Sequence, residues 1–208
     1  LDVTILGCGS STGVPGLGGP DGAGDWGDCD PNNPKNRRTR CSILVRQKNG
    51  GGETAILVDT SPDLRAQLLA ARCSKLNAVF ITHDHADQTH GMDDLRTVAY
   101  LARKRVDVYS DKAALADIHK KFGYIFETPS GSGYPPICTA HKLAQPFSPV
   151  TVEGEGGTIS VLPFMQGHGA IHSLGFRIGP IAYSSDVNTL DDAAFAALEG
   201  VDLWIVDA

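Results

Sequence analysis

Directly behind the apolar run at 78–81 stand His83, Asp84, His85 and Asp87, two imidazoles alternating with two carboxylates. An extended segment sends alternate side chains to the same side, so His83 and His85 can reach one ion through ring nitrogens at about 2.0–2.1 Å. Two histidines with one carboxylate and an open position form a hydrolytic ligand set, because structural zinc sites are normally closed. The competing reading is a polar strand-to-helix turn capped by aspartates. So dense a cluster of groups that are costly to bury, placed immediately after a buried strand, argues for a metal centre instead.

Positioning such a cluster requires a rigid frame. Short runs rich in β-branched and apolar residues predict strands at 3–6, 42–46, 55–58, 78–81, 106–109, 158–162, 174–178, 181–183 and 201–206. Helical patterns fall at 62–71, with Ser61 as N-cap and Pro62 in the first turn, and at 92–104, 112–122 and 191–198. Several strand pairs are linked too tightly for crossover helices, so a mixed pair of sheets with outer helices is expected rather than a doubly wound parallel sheet. Two stretches rich in glycine and proline, 13–34 and 128–136, read as long surface loops.

The chain of 208 residues can bury one substantial core, and one domain over 1–208 is the simplest account. A net charge of -6 argues against a general nucleic-acid binder, which needs a broad basic face. The cysteines number five, an odd count without a C-x-x-C pair, and read as reduced thiols. Apolar runs fall short of the ~18 residues that cross a bilayer, and the first residues lack the charge and length of a signal peptide, which points to the cytoplasm. The chain begins at Leu1 without Met and stops at Ala208 beside an apolar run, so the C-terminal end of the domain is expected to continue beyond it.

The segment 79–91 resembles the metallo-β-lactamase superfamily, whose signature at a strand end is H-x-H-x-D-H; His83, His85 and Asp87 match it. The resemblance implies an αββα sandwich of class α/β (α+β), two mixed sheets flanked by helices. It also implies a further histidine and aspartate from later strand ends. His168 would complete the first metal site after a strand at 159–164, and Asp186 would bridge two ions roughly 3.5–4 Å apart. The last signature position, usually a histidine on the second metal, is Gln88. A neutral amide is a poorer zinc ligand, so the second ion is expected to be weak, absent or a harder Mn²⁺ beside a Zn²⁺. His90 is a candidate substitute, while Asp84 and His172 are candidates to line the pocket. A further histidine ligand is expected beyond Ala208.

Three flanking segments, 6–15 with Ser10, 36–42 with Arg37, Arg38 and Arg40, and 58–65, resemble the PhnP branch of phosphodiesterases, related to ribonuclease Z. Where PhnP proteins often carry several cysteines for a structural zinc, the loop 16–34 has Cys29, so that zinc is not expected. Ser10 and the three arginines are weak candidates for phosphate contact, with the solvated face as the alternative. Asp59 and Asp63 read as supports for the metal loop or a helix cap, and His119 and His141 as surface residues. The expected reaction is attack of a metal-activated hydroxide on a small nucleotide or cyclic ribose phosphate diester, with Asp87 or Asp186 as base. The alternatives are a ribonuclease Z-like RNA-processing nuclease, disfavoured by acidity and the lack of a long basic arm, and a catalytically weak nucleotide-binding protein. Lactamase or thioesterase activity also stays open on this fold. Expected partners are a small phosphodiester or nucleotide, not a membrane or a large nucleic acid, with homodimerisation left open.

Overall fold

A computed structural model describes residues 1–207. Alternation along the strands dictates its layering. In β2 (Ser42–Asn49), Ile43 and Val45 join one core with Ile56, Val58 and Phe80, while Leu44 faces the other way into a second core with Leu57, Val79 and Ile81. A strand apolar on both faces must lie between two layers, and so the first sheet does.

That sheet has the order β1-β2-β3-β4-β5-β6. β1 (Asp2–Gly7), β2 and β3 (Gly52–Val58) run antiparallel, and β3, β4 (Ala78–Phe80), β5 (Val106–Asp111) and β6 (Cys138–Leu143) run parallel. The second sheet has the order β11-β10-β9-β8-β7. It comprises β7 (Val150–Gly154), β8 (Gly157–His168), β9 (Ile171–Ile178), β10 (Ile181–Ser184) and β11 (Leu203–Val206), antiparallel except for β10 with β11. Both sheets are mixed, and Phe80, Val161, Leu174 and Phe176 fill the space between them.

The outer face of the first sheet is covered by α1 (Leu64–Ala70), α3 (Leu95–Ala102) and α4 (Lys112–Phe126), through Leu64, Leu68, Leu95, Val98 and Ile118, while the single turn α2 (Ala86–Thr89) lies in the connection between β4 and α3. On the second sheet, α5 (Asp192–Leu198) packs Ala194 and Leu198 against Phe164 and Ala182. The result is the expected helix–sheet–sheet–helix sandwich.

Several boundaries differ from the sequence reading. α1 starts two residues after Pro62; Ser61 accepts from the Asp63 amide in the preceding turn rather than capping the helix. Residues 92–94 form a 3₁₀ turn before α3. α4 kinks at Phe122, where the pattern ended, then continues to Phe126. β6 and β7 had no sequence signal: Thr139, His141 and Lys142 break the apolar pattern of β6, whose pairing with β5 comes from tertiary contact.

Candidate metal centre

The site lies where strand ends from both sheets meet. After β4, the Ile81 amide donates to Tyr109 O at 2.9 Å and the Leu174 amide donates to Thr82 O at 2.9 Å, so the loop is sewn to both sheets. His83 is consequently buried, its side chain 2% exposed. His85 lies on the same side, as strand alternation requires, with ring centroids 4.5 Å apart. His168, expected to follow a strand ending at 164, is instead the last residue of the longer β8. Its ring centroid is 5.1 Å from that of His83 and 5.2 Å from that of His85.

One ring nitrogen from each of these histidines lies within 4.8 Å of the others. His83 Nε2 is buried without a hydrogen-bond partner, a costly condition for a polar atom that a ligand would relieve. Burial, followed by the neighbouring charges of His85 and His168, pushes His83 down to about 3. The ring is therefore neutral and offers a lone pair at neutral pH. Three converging imidazoles with an unpartnered buried nitrogen fit a divalent ion of the zinc type.

Thr82 Oγ1 lies 3.0 Å from His83 Nδ1 and bonds both oxygens of Asp59, at 3.1 and 3.0 Å. Asp59 follows β3 with φ of 64°, a left-handed conformation that turns its carboxylate under the metal loop, where it also accepts from the Thr82 amide at 2.8 Å. Burial drives this carboxyl well above its ordinary range, with Thr82's hydrogen bonds acting in the opposite direction.

Asp186 follows β10 and is also left-handed, with φ of 46°. Its Oδ2 stands 3.6 Å from His83 Nε2 and accepts from Gln88 Nε2 at 2.8 Å. Burial and then the charge of Asp87 push the Asp186 carboxyl up. Asp87 lies outside the three-histidine group and accepts from Gln88 Nε2 at 3.2 Å. Cys41, to which the sequence reading gave no role, accepts from the same nitrogen at 3.3 Å. Burial, then the Asp59 charge, pushes its thiol up to about 12.

The remaining candidates scatter. Asp84 pairs with Lys121 of α4 at 2.8 Å; partial burial acts to raise its carboxyl, but the hydrogen bond and charge of Lys121 outweigh this and hold it low. His90 does not replace the missing histidine. Two positions beyond Gln88 on a helical turn it faces away, its ring edge-on to Phe122 at 5.4 Å. Nor do the arginines line the cavities beside the site. Arg40 Nε is 2.9 Å from Asp63 Oδ2, Arg37 stacks over Trp26 at 5.0 Å, and Arg38 holds Val14 through a β-bridge. An available carboxylate and an aromatic face claimed those charges. His119 stacks on Phe126 and His141 bonds Asp107, both away from the centre.

Two cavities adjoin the residues of the site. One, of about 520 Å³, is bounded by His83, Asp84 and His172, by Lys112 and Lys142, and by apolar groups including Phe147 and Met165. The other, of about 450 Å³, is bounded by Asp87, Asp186, Cys41, Ser10 and Tyr183. Lys112, Lys142 and Phe147 were missed by sequence reasoning because they come from α4, the end of β6 and a loop, with no spacing that links them to the histidines.

Residues 54–208 match the model of the Beta-lactamase superfamily domain. The chain is 29% identical to a crystallised diphosphatase of the PhnP family, with a TM-score of 0.78 over 97% of this chain and 71% of that one. Zn²⁺-bound PqqB from Methylobacterium extorquens shares the fold at 20% identity, with a TM-score of 0.64 covering 99% and 72%. The octanoyltransferase of Porphyromonas gingivalis is 31% identical over 205 residues, 98% of this chain; the chain spans 38% of that protein.

Proposed function

The chain belongs to the metallo-β-lactamase superfamily, in its PhnP-like branch, and from that premise we propose a metal-dependent phosphodiesterase acting on a small nucleotide or cyclic ribose phosphate diester. The observation that carries this reading is the triangle of His83, His85 and His168, with a buried unpartnered Nε2 and with Asp186 3.6 Å away. The three imidazoles would hold the ion, Zn²⁺ or Mn²⁺. When bound, such an ion lowers the pKa of water and takes up negative charge on a phosphoryl group, which lets an acidic protein accept an anionic diester.

The protein's own groups supply the rest. Asp186, the carboxylate nearest the histidines, would take the proton of the attacking water at Oδ2. Both carboxylates accept from Gln88, and it is the 3.6 Å approach of Asp186 Oδ2 to His83 Nε2 that favours Asp186 over Asp87 as the base. The two cavities, one bounded by His83 and the other by Asp186, would take the two substituents of a diester, and Lys112 and Lys142 supply cations for a charged arm. This resemblance to a PhnP-family diphosphatase supports phosphoryl chemistry. Octanoyl transfer is named for a protein of which this chain matches 38%. The sulfur beside the site gives it no support, since a nucleophilic thiol needs a lowered pKa and that of Cys41 is pushed up to about 12.

The test is turnover of bis-(p-nitrophenyl) phosphate, a panel of cyclic nucleotides and a nucleotide diphosphate ester, before and after chelation. Activity should disappear with chelator, return with Zn²⁺ or Mn²⁺, and be lost in His83→Ala plus His85→Ala. Turnover that survives the double substitution would overturn the reading.

A further inference from the structure

We propose that the carboxamide of Gln88 occupies the second metal position, so that the centre is built for one ion. The inference rests on the reading that the three histidines hold an ion, and concerns what stands beside it.

Gln88 is fully buried. Its single helical turn is anchored by its own carbonyl, which accepts from the Thr60 amide at 2.7 Å and from Thr60 Oγ1 at 3.1 Å. The side chain therefore leaves a fixed backbone. Its Nε2 sits among three acceptors brought by three different parts of the chain: Asp186 Oδ2 at 2.8 Å, Asp87 Oδ2 at 3.2 Å and Cys41 Sγ at 3.3 Å. Two carboxylate oxygens and a sulfur converging on one point are the surroundings of a cation. Here the point is filled by an amide nitrogen, which carries two hydrogens and has no lone pair to offer an ion.

Turning the carboxamide over would set Oε1 against two carboxylates. It would also take Nε2 away from its three acceptors, whereas Oε1 as it stands is buried without a hydrogen-bond partner. Without a second cation that arrangement forfeits the hydrogen bonds and adds repulsion. The neutral donor thus does for Asp87 and Asp186 what an ion would otherwise do, and keeps both carboxylates close to the histidine triangle.

The decisive measurement is metal content of the full-length protein, stripped with chelator, dialysed against Zn²⁺ or Mn²⁺ and analysed by plasma mass spectrometry, with calorimetric titration for the number of sites. The wild type should hold one ion per chain, and both Gln88→His and the isosteric Gln88→Glu should hold two. The second variant keeps the test open if the imidazole does not fit the buried space. Two ions in the wild type would overturn this inference alone, leaving the phosphodiesterase reading intact. No ion in any form would sink both. One ion in a folded Gln88→Glu would show that the amide is not what excludes the second.

Discussion

The hydroxyl of Thr82 lies 3.0 Å from Nδ1 of His83, and that contact decides which face of the imidazole can meet an ion. Thr82 has one proton to give. When Asp59 is ionised, its carboxylate takes that proton, so Nδ1–H donates to Thr82 Oγ1 and the lone pair is left on Nε2, the atom buried beside His85 and His168.

Thr82→Val should keep the fold, being nearly isosteric, yet weaken metal binding by about 10–100-fold, the usual effect of losing a partner that orients a ligand. Asp59→Asn should weaken it at least as much. Its amide would donate to Thr82 Oγ1 and turn the hydroxyl toward Nδ1, leaving the proton on Nε2. Competition with a chromophoric chelator measures both, and unchanged affinity in Thr82→Val would refute the relay.

The charges separate into those that hold the fold and those that face the cavity. Arg40 is paired with Asp63, both side chains 25% exposed, so Arg40→Ala should cost about 1 kcal/mol of stability and leave KM within about twofold. Lys142→Ala, at the cavity beside His83, should raise KM for an anionic diester by about tenfold, as expected for one charge-assisted hydrogen bond of about 1.5 kcal/mol. Denaturant melts and steady-state kinetics on the two variants check the division, and the opposite pattern would return the arginine to the site.

Gly91 closes the metal loop against the loop after β3, its amide donating to Thr60 O at 2.9 Å. A Cβ there would stand 2.0 Å from Ser61 O and 2.8 Å from Leu64 Cβ. Backbone and a core side chain cannot yield as a flexible chain end would. Gly91→Ala should therefore destabilise the protein by about 1–3 kcal/mol. It should also reduce metal affinity, because the histidine loop must shift. A variant as stable as the parent would show that the loop has slack.

Burial, the largest cause, pushes the Cys138 thiol up to about 12 from its ordinary value of 9.0. Between these values the unfolded chain has lost a proton that the folded chain keeps, so stability falls as pH rises through that window. Below about pH 9 the full contribution is present. Under reducing conditions, urea midpoints should decline from pH 9 toward 11, with a slope of up to about 1.4 kcal/mol per pH unit for each such thiol. Cys138→Ala should make that decline shallower, at some cost in absolute stability from the cavity it leaves. An unchanged slope would mean that this thiol ionises freely in the fold.

Much of the scaffold was legible because strand and helix periodicities are local. The runs around β2, β3, β4 and β9 carry their own alternation or continuous apolarity, and α3 and α5 carry their own spacing. β6 and β7 were not legible. Their few apolar positions are stabilised by neighbours distant in sequence, as in the pairing of Val106 with Cys138 and of Val152 with Ile159.

By itself the sequence determined the pairing of His83 with His85, since alternation is a property of any extended segment, and it marked Gln88 as the position that departs from the family signature. Only the tertiary structure decided what that departure means. It brought Cys41, Asp87 and Asp186 around one amide nitrogen, turned His90 away and drew Arg37 and Arg40 into other partnerships. The physical reason is that a ligand's direction depends on backbone angles and burial at several strand ends at once, such as the left-handed turns at Asp59 and Asp186, and no one-dimensional spacing contains that information.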